Sequence, residues 1–280
     1  MPKRIIAIND ISCVGKCSLT VALPVISAAG VECSILPTSL LSTHTGGFTG
    51  YTFTPLTEDM RKITAHWKSL GLRADAVYSG YLGDPDQAEI TADAMDAFGG
   101  LAIVDPVMAD NGKLYPGFDM RTVEVMRKLV RKADLAMPNI TEASFITEDP
   151  CDGSAPVPGE ALEKIMKKLS ALGAKKVVIS GVEDGEGIGA ATYDSYTGRV
   201  SYSFAPKYEG YYHGTGDVFG SVVASMTVLG ASVEDAAAEA ARFTSAVVKR
   251  TRDTVKDVKY GPAFEEELPS FVEVCRKLAK

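Results

Sequence analysis

The sequence predicts an α/β protein, one domain over residues 1–280, built on a mostly parallel central sheet with helices on both faces. Three observations carry this. Short β-branched runs alternate with longer helical ones along the chain, as in successive βαβ units. No internal repeat, low-complexity tract or Pro/Ser-rich linker breaks the alternation. The composition, 46% hydrophobic and 23% charged over 280 residues, is that of a globular chain able to bury a sizeable core.

In chain order, the apolar run Arg4–Ile8 opens as a strand, and Leu19–Ala29 follows as a helix. Val31–Leu36 is the next strand, and the Ser/Thr/Gly-rich stretch Thr38–Thr54 is a loop. Helix Glu58–Leu70, strand Ala76–Ser79, helix Pro85–Phe98 and strand Leu101–Val104 continue the alternation. So do helix Met120–Arg131, strand Leu135–Met137, helices Thr141–Thr147 and Gly159–Leu172, and strand Lys176–Ser180. The stretch Glu148–Gly159, rich in Pro, Gly and Asp, reads as a surface loop because strands lie on both sides of it. Ala190–Tyr193 and Val200–Phe204 flank the turn Asp194–Gly198 and read as an antiparallel hairpin added to the sheet. Three helices, Thr215–Leu229, Val233–Lys249 and Ala263–Leu278, complete the expected series.

Composition excludes several partners. Twenty-nine Lys and Arg against 36 Asp and Glu give a net charge of −7, which argues against nucleic acid and anionic membrane. Five scattered cysteines are the usage of reduced thiols, and no second Cys/His pair completes a metal site with Cys13 and Cys17. The N-terminal run lacks an apolar secretion segment, so a cytoplasmic location is expected. Two charge-poor stretches are not spans. Residues 33–57 are dense in Ser, Thr and Gly, and residues 218–233 are shorter than the roughly 20 residues a span needs and read as a buried helix.

Gly15-Lys16-Cys17-Ser18 is not a P-loop, because Cys17 stands where Ser or Thr would hold magnesium and Asp10 where the upstream glycine is required. The strongest signal is His213-Gly214-Thr215-Gly216-Asp217, just ahead of the uncharged helix. Two glycines spaced by one residue let backbone amides turn to a common point, and the helix N-terminus adds positive potential there. Asp217 among those glycines is best explained as a general base beside a phosphate about to be transferred.

These residues resemble the ribokinase-like superfamily, and within it the pyridoxal kinases. By that resemblance Gly214, Thr215 and Gly216 stabilise the transferring phosphoryl group and Asp217 is the catalytic base. Ser42-Thr43-His44-Thr45-Gly46 is similar to the family's Ser-Asn-His-Thr-Gly segment, which implies ring contacts for Thr45 and His44. For His44, a structural hydrogen-bonding role stands beside that one. Ser79-Gly80-Tyr81 resembles the segment whose Tyr lines the vitamin pocket. Asp105-Pro106-Val107, Asp110 and Tyr115, Asn139 with Glu142, and Ser180 match positions that the family places near the nucleotide phosphates. Asp105, Asp110 and Glu142 suit Mg²⁺, a hard cation that takes one or two protein carboxylates.

Asp10 stands where the pyridoxal kinases carry a substrate-binding Ser, with Ser12 two residues on. A carboxylate there can pair with a protonated pyridine nitrogen or an amino group, which also admits an aminopyrimidine. Phe48, Tyr51 and Phe53 stand in for the family's aromatic wall without matching it position by position, and the segment Asp110–Tyr115 predicts a short phosphate flap. The resemblance implies ATP and Mg²⁺, leaves a monovalent cation open, and implies a B6 vitamer as small-molecule substrate and a homodimer. Two alternatives stand: a hydroxymethylpyrimidine kinase, and a catalytically silent vitamer-binding homologue that ATP consumption would exclude.

Overall fold

The run Arg4–Ser12 forms strand β1, with Ile5 and Ala7 facing one side of a sheet and Ile6 and Ile8 the other, none more than 1% exposed. A computed structural model describes residues 2–150 and 159–278. After β1 come helix α1 (Leu19–Ala28), strands β2 (Glu32–Leu41) and β3 (Phe53–Pro55), α2 (Thr57–Ser69), β4 (Ala76–Ser79), α3 (Asp86–Phe98) and β5 (Leu101–Val104). The small hairpin β6 (Ala109–Asp110) and β7 (Lys113–Leu114) precedes α4 (Met120–Val130), β8 (Leu135–Ala136), α5 (Ile140–Thr147) and α6 (Gly159–Leu172). The chain continues through β9 (Lys176–Glu183), β10 (Gly187–Asp194), β11 (Arg199–Pro206), α7 (Thr215–Val228), α8 (Val233–Thr254), a 3-10 turn (Val258–Tyr260) and α9 (Leu268–Leu278).

Among the described residues nine strands make one sheet in the order β11-β10-β9-β8-β5-β4-β1-β2-β3. From β2 to β9 neighbours are parallel; β3 at one edge and the β10–β11 hairpin at the other are antiparallel. Helices α1, α7, α8 and α9 cover one face through residues such as Leu19, Val222, Phe243 and Phe271. Helices α2 to α6 cover the other through Met60, Phe98, Met126, Ile146 and Met166. The chain leaves β1 for β2 on one side and returns to β4 on the other. That reversal of direction opens a crevice at the carboxyl end of β1.

The expected α/β class and the hairpin are present, with differences at element ends. β1 runs on to Ser12 and β2 to Leu41, where it pairs with β3 inside the stretch expected to be a loop. Pro37 and the hydroxyl-rich sequence hide that extension, and three residues of β3 are too few to show a period. α9 starts at Leu268 rather than Ala263, with Pro269 in its first turn, where proline is tolerated. Residues 151–158 of the expected loop, and Cys151 with them, lie outside the described residues. No described helix is long and apolar enough to cross a membrane.

Candidate active site

Gly214 caps α7 at φ 82°, and a Cβ there would come within 2.2 Å of the Lys16 carbonyl oxygen. Only glycine meets both demands. Gly216 differs. It is exposed, in helical backbone, and nothing lies within 4 Å of where its Cβ would stand, so its smallness keeps space open above the helix end. The Val218 amide donates to the Gly214 carbonyl at 3.1 Å. The amides of Thr215, Gly216 and Asp217 precede that bond and have no acceptor within the helix, at its positive end. The Thr215 hydroxyl donates to the Tyr212 carbonyl at 2.9 Å and fastens the approach to the helix, so what Thr215 offers a ligand is its amide.

Asp217 lies in the first turn of α7, where two neighbours converge on its carboxylate. Asn9 Nδ2, from β1, donates to Oδ1 at 3.5 Å, and the Ser18 backbone amide, like that side chain, favours the charged form. Burial outweighs both and, aided by the Asp10 charge, lifts the Asp217 pKa from 3.8 to about 7. Asp105, just past β5, and the Tyr78 hydroxyl on β4 share this pocket. Both are pushed well up, by burial first and then by neighbouring carboxylates, Asp217 among them. Gly220 lets α7 settle onto them: a Cβ there would reach Tyr78 Oη at 2.4 Å and Asp105 Oδ2 at 3.3 Å.

The expected trio of magnesium carboxylates does not form a cage. Among the described residues no three His, Cys, Asp or Glu converge to hold a metal. Glu142 is 1% exposed and its oxygens accept the amides of Met108 (3.0 Å), Ala109 (3.4 Å) and Asn139 (2.9 Å). With Asn139 it closes the capping box of α5, so its first task is structural. Burial nevertheless raises its pKa to about 8. The Asn139 side chain is likewise engaged, accepting from the Glu142 amide at 2.9 Å and donating to the Ala109 carbonyl at 2.8 Å. Asp110 accepts from the Tyr211 hydroxyl at 2.8 Å and from Asn111. The Tyr115 hydroxyl is pushed up by burial, then by the charges of Glu142 and Asp110, which places it in this acidic cluster. Ser180 bridges to Asn139, although β9 continues past it to Glu183. The Asp105 carboxylate, alone of the trio, forms no hydrogen bond or ion pair among the described residues, while its amide donates to the Ser79 carbonyl at 2.9 Å. It is partly accessible, and its free carboxylate fits Mg²⁺ held mainly by water and phosphate.

The expected vitamer residues divide. Tyr81 stacks on Phe118 with centroids 5.5 Å apart, and its amide donates to Asn9 Oδ1 at 2.8 Å. Asp10 is 5% exposed and accepts from the Ser18 hydroxyl at 2.5 Å and the Ser12 hydroxyl at 3.1 Å. Ser12 is fully buried, so its hydroxyl serves Asp10 rather than a ligand. His44 is 5% exposed, with Nε2 2.6 Å from the Lys259 carbonyl oxygen and Nδ1 accepting from the Gly46 amide at 3.1 Å. An accepting Nδ1 makes Nε2 the protonated nitrogen, so neither is free for a ligand ring. Burial lowers its pKa, in keeping with a neutral imidazole. Thr45 beside it is exposed.

Sequence reasoning gave no role to Asn9, Ser18, Tyr78, Tyr211 or His213. The His213 ring lies tilted 5.3 Å from that of His44 and meets Tyr211 edge-to-face at 4.8 Å, joining the His44 loop to the start of α7. Its place directly before Gly214 was the one available signal. Tyr78 sits inside a buried strand and carries none.

A model of the phosphomethylpyrimidine kinase family matches residues 21–262. A Bacteroides thetaiotaomicron protein assigned as a phosphomethylpyrimidine kinase and crystallised with pyridoxal is 33% identical, with a TM-score of 0.89, over 98% of this chain and 96% of that one. The pyridoxal kinase of Lactobacillus plantarum is 32% identical with a TM-score of 0.90, covering 98% of each chain. The hydroxymethylpyrimidine/phosphomethylpyrimidine kinase of Bacillus subtilis is 28% identical over 200 residues, 70% of this chain and 72% of that protein.

Proposed function

Because the chain belongs to the phosphomethylpyrimidine kinase family, a group of kinases with pyridoxal kinases among its structural neighbours, we propose that it transfers the γ-phosphoryl group of ATP to the 5′-hydroxymethyl oxygen of pyridoxal, pyridoxine or pyridoxamine. One observation carries the mechanism: a carboxylate titrating at about 7 beside unpaired amides at a helix N-terminus. Asp217 takes the hydroxyl proton as that oxygen attacks the γ-phosphorus, and the bond to the departing ADP breaks. The amides of Thr215 and Gly216 stabilise the charge that develops on the transferring group. Mg²⁺, when bound, neutralises the phosphates, and Asp105 would hold it. Tyr81 and Phe118 would form an aromatic wall for the vitamer ring. The family resemblance extends the reading to a cytoplasmic homodimer.

The second reading, a hydroxymethylpyrimidine kinase, is favoured by the family match and by the Bacillus subtilis relative. It uses the same base and amides. Against it, the Bacteroides thetaiotaomicron relative assigned to the pyrimidine was crystallised with pyridoxal. A coupled assay of ADP release with pyridoxal, pyridoxine, pyridoxamine and hydroxymethylpyrimidine separates the two. Turnover of a B6 vitamer supports the first; turnover of the pyrimidine alone sinks it.

A further inference from the structure

Strand β2 carries a bulge beside the crevice. Asn9 of β1 pairs with Pro37 and Ile11 with Leu40, so Thr38 and Ser39 together stand opposite Asp10. A bulge re-aims a side chain, and the Thr38 hydroxyl leaves the strand to donate to the Tyr81 carbonyl at 3.0 Å. The Thr38 carbonyl takes two donors, the Leu56 amide at 2.9 Å and Gln87 Nε2 at 2.7 Å. Gln87, on α3, turns its Oε1 to the Gly83 amide at 2.9 Å. Thr38 and Gln87 are both fully buried. A Cβ at Gly83 would come within 2.8 Å of Ser39 Oγ and 2.9 Å of the Phe53 ring, so the segment after Tyr81 packs directly onto the edge of the sheet. Since Asn9 takes the Tyr81 amide, side chains grip both main-chain groups of Tyr81 and the amide of Gly83.

We propose that Thr38 and Gln87 are positioning residues for the substrate wall: the Thr38 hydroxyl, and Gln87 braced on the Thr38 carbonyl, fix residues 81–83 so that the Tyr81 ring meets the acceptor ring in one place. The assignment rests on the reading that Tyr81 lines the acceptor pocket. Both residues act from inside the protein. Among the described residues their side chains bond to Tyr81, Gly83, Thr38 and Thr57, and none of those bonds reaches Asp217 or the amides of residues 214–216. Loosening the bracket therefore moves the wall and leaves the base and the anion site in place. The Gly83 amide needs an acceptor and the Thr38 carbonyl a donor, a pair that the glutamine amide supplies and methionine does not.

The test is steady-state kinetics on Thr38→Val, Thr38→Ser, Gln87→Met, Tyr81→Leu and the double variant Thr38→Val/Tyr81→Leu, with ATP against pyridoxal and against hydroxymethylpyrimidine. Valine keeps the size and branching of threonine and loses the hydroxyl; serine keeps the hydroxyl. Thr38→Val and Gln87→Met should each raise KM for the acceptor about fivefold or more, with kcat and KM for ATP within about twofold. Thr38→Ser should stay within about twofold of the wild type throughout. In the double variant the acceptor KM should match that of Tyr81→Leu alone, because Thr38 acts through the Tyr81 ring. The proposal is overturned by an unchanged acceptor KM in Thr38→Val, or by changes in kcat or in KM for ATP as large as the change in acceptor KM. A Thr38→Ser as impaired as Thr38→Val, or additive effects in the double variant, overturns it equally. If Thr38→Val does not fold, Gln87→Met and Thr38→Ser still decide by the same limits. An impaired Tyr81→Leu beside an intact Thr38→Val removes the positioning role alone, whereas an unchanged acceptor KM in Tyr81→Leu removes the wall and the proposal with it. Turnover of the pyrimidine alone sinks the vitamer reading, while the variants still decide for the acceptor that is used.

Discussion

Asn9 and Asp217 meet across the crevice at 3.5 Å, a strand-end amide against a carboxylate 208 residues away in sequence. The same Asn9 accepts the amides of Asp10 and Tyr81, so one buried side chain ties Asp217, the proposed base, to the loop that carries the candidate ring wall. Gly80 makes room for it, since a Cβ there would come within 2.5 Å of Asn9 Nδ2. Truncating Asn9 therefore disturbs base and wall together. Asn9→Ala should lower kcat by about tenfold or more and raise KM for the vitamer, whereas a change in kcat alone would mean that Tyr81 does not depend on Asn9.

The pH dependence of activity follows from Asp217. A base must be deprotonated, and this one titrates at about 7. kcat/KM should therefore fall tenfold per pH unit below an apparent pKa near 7. A profile flat down to pH 5 would show that Asp217 is not the titrating group.

Stability should run the other way. The folded pKa of Asp217 lies above the ordinary 3.8, so the native state binds the extra proton and stability falls as pH rises from about 4 to about 7. Asp217→Asn removes that penalty. Its Tm should exceed the wild-type value by a few degrees at pH 8, with the difference shrinking toward pH 4. A Tm gap that does not depend on pH contradicts this. The gain in stability would accompany a loss of rate on the order of 10²–10⁴.

The two glycines of the motif should fail differently. Gly214→Ala forces a Cβ into φ 82° and against the Lys16 carbonyl, at a cost of about 1–3 kcal/mol and several degrees of Tm. Gly216→Ala meets no atom and suits a helix, so its Tm should hold, while kcat falls about tenfold or more as the methyl fills the space above the amides. Thermal melts and kinetics on the pair check both halves.

Asp105 and Glu142 should also part company. Asp105→Asn should raise the Mg²⁺ concentration for half-maximal rate about tenfold or more without loss of Tm, because its carboxylate makes no hydrogen bond or ion pair in the fold and asparagine keeps its size. Glu142→Ala leaves buried amides of Met108, Ala109 and Asn139 without an acceptor and should lower Tm by several degrees. Equal Mg²⁺ effects in the two variants would restore Glu142 as a metal ligand.

What the sequence could reveal depended on how far apart the partners lie. Gly214 to Asp217 is contiguous, and the φ a glycine tolerates is a local matter, so the left-handed turn into the start of α7 was readable. The parallel sheet was readable because Ile5, Ile6, Ala7 and Ile8 fill two cores from one strand. Asn139-x-x-Glu142 was readable in two ways. Resemblance made it a metal motif, while its spacing is that of a capping box, and the structure fills the box. The contact of Asn9 with Asp217 was out of reach, since nothing within a few residues of Asn9 signals a partner on α7. Strands as brief as β3 and β6 show no periodicity to read.

The central claim, phosphoryl transfer to a vitamer hydroxymethyl group with Asp217 as base, is tested most directly by following the product. The wild type and Asp217→Asn would be incubated with ATP, Mg²⁺ and an equimolar mixture of pyridoxal and hydroxymethylpyrimidine, and the phosphorylated products resolved by mass and counted over time. The account predicts pyridoxal 5′-phosphate as the dominant early product of the wild type and a rate lower by on the order of 10²–10⁴ in the variant. Phosphorylation of the pyrimidine alone, or pyridoxal phosphorylation at an undiminished rate in Asp217→Asn, would contradict it.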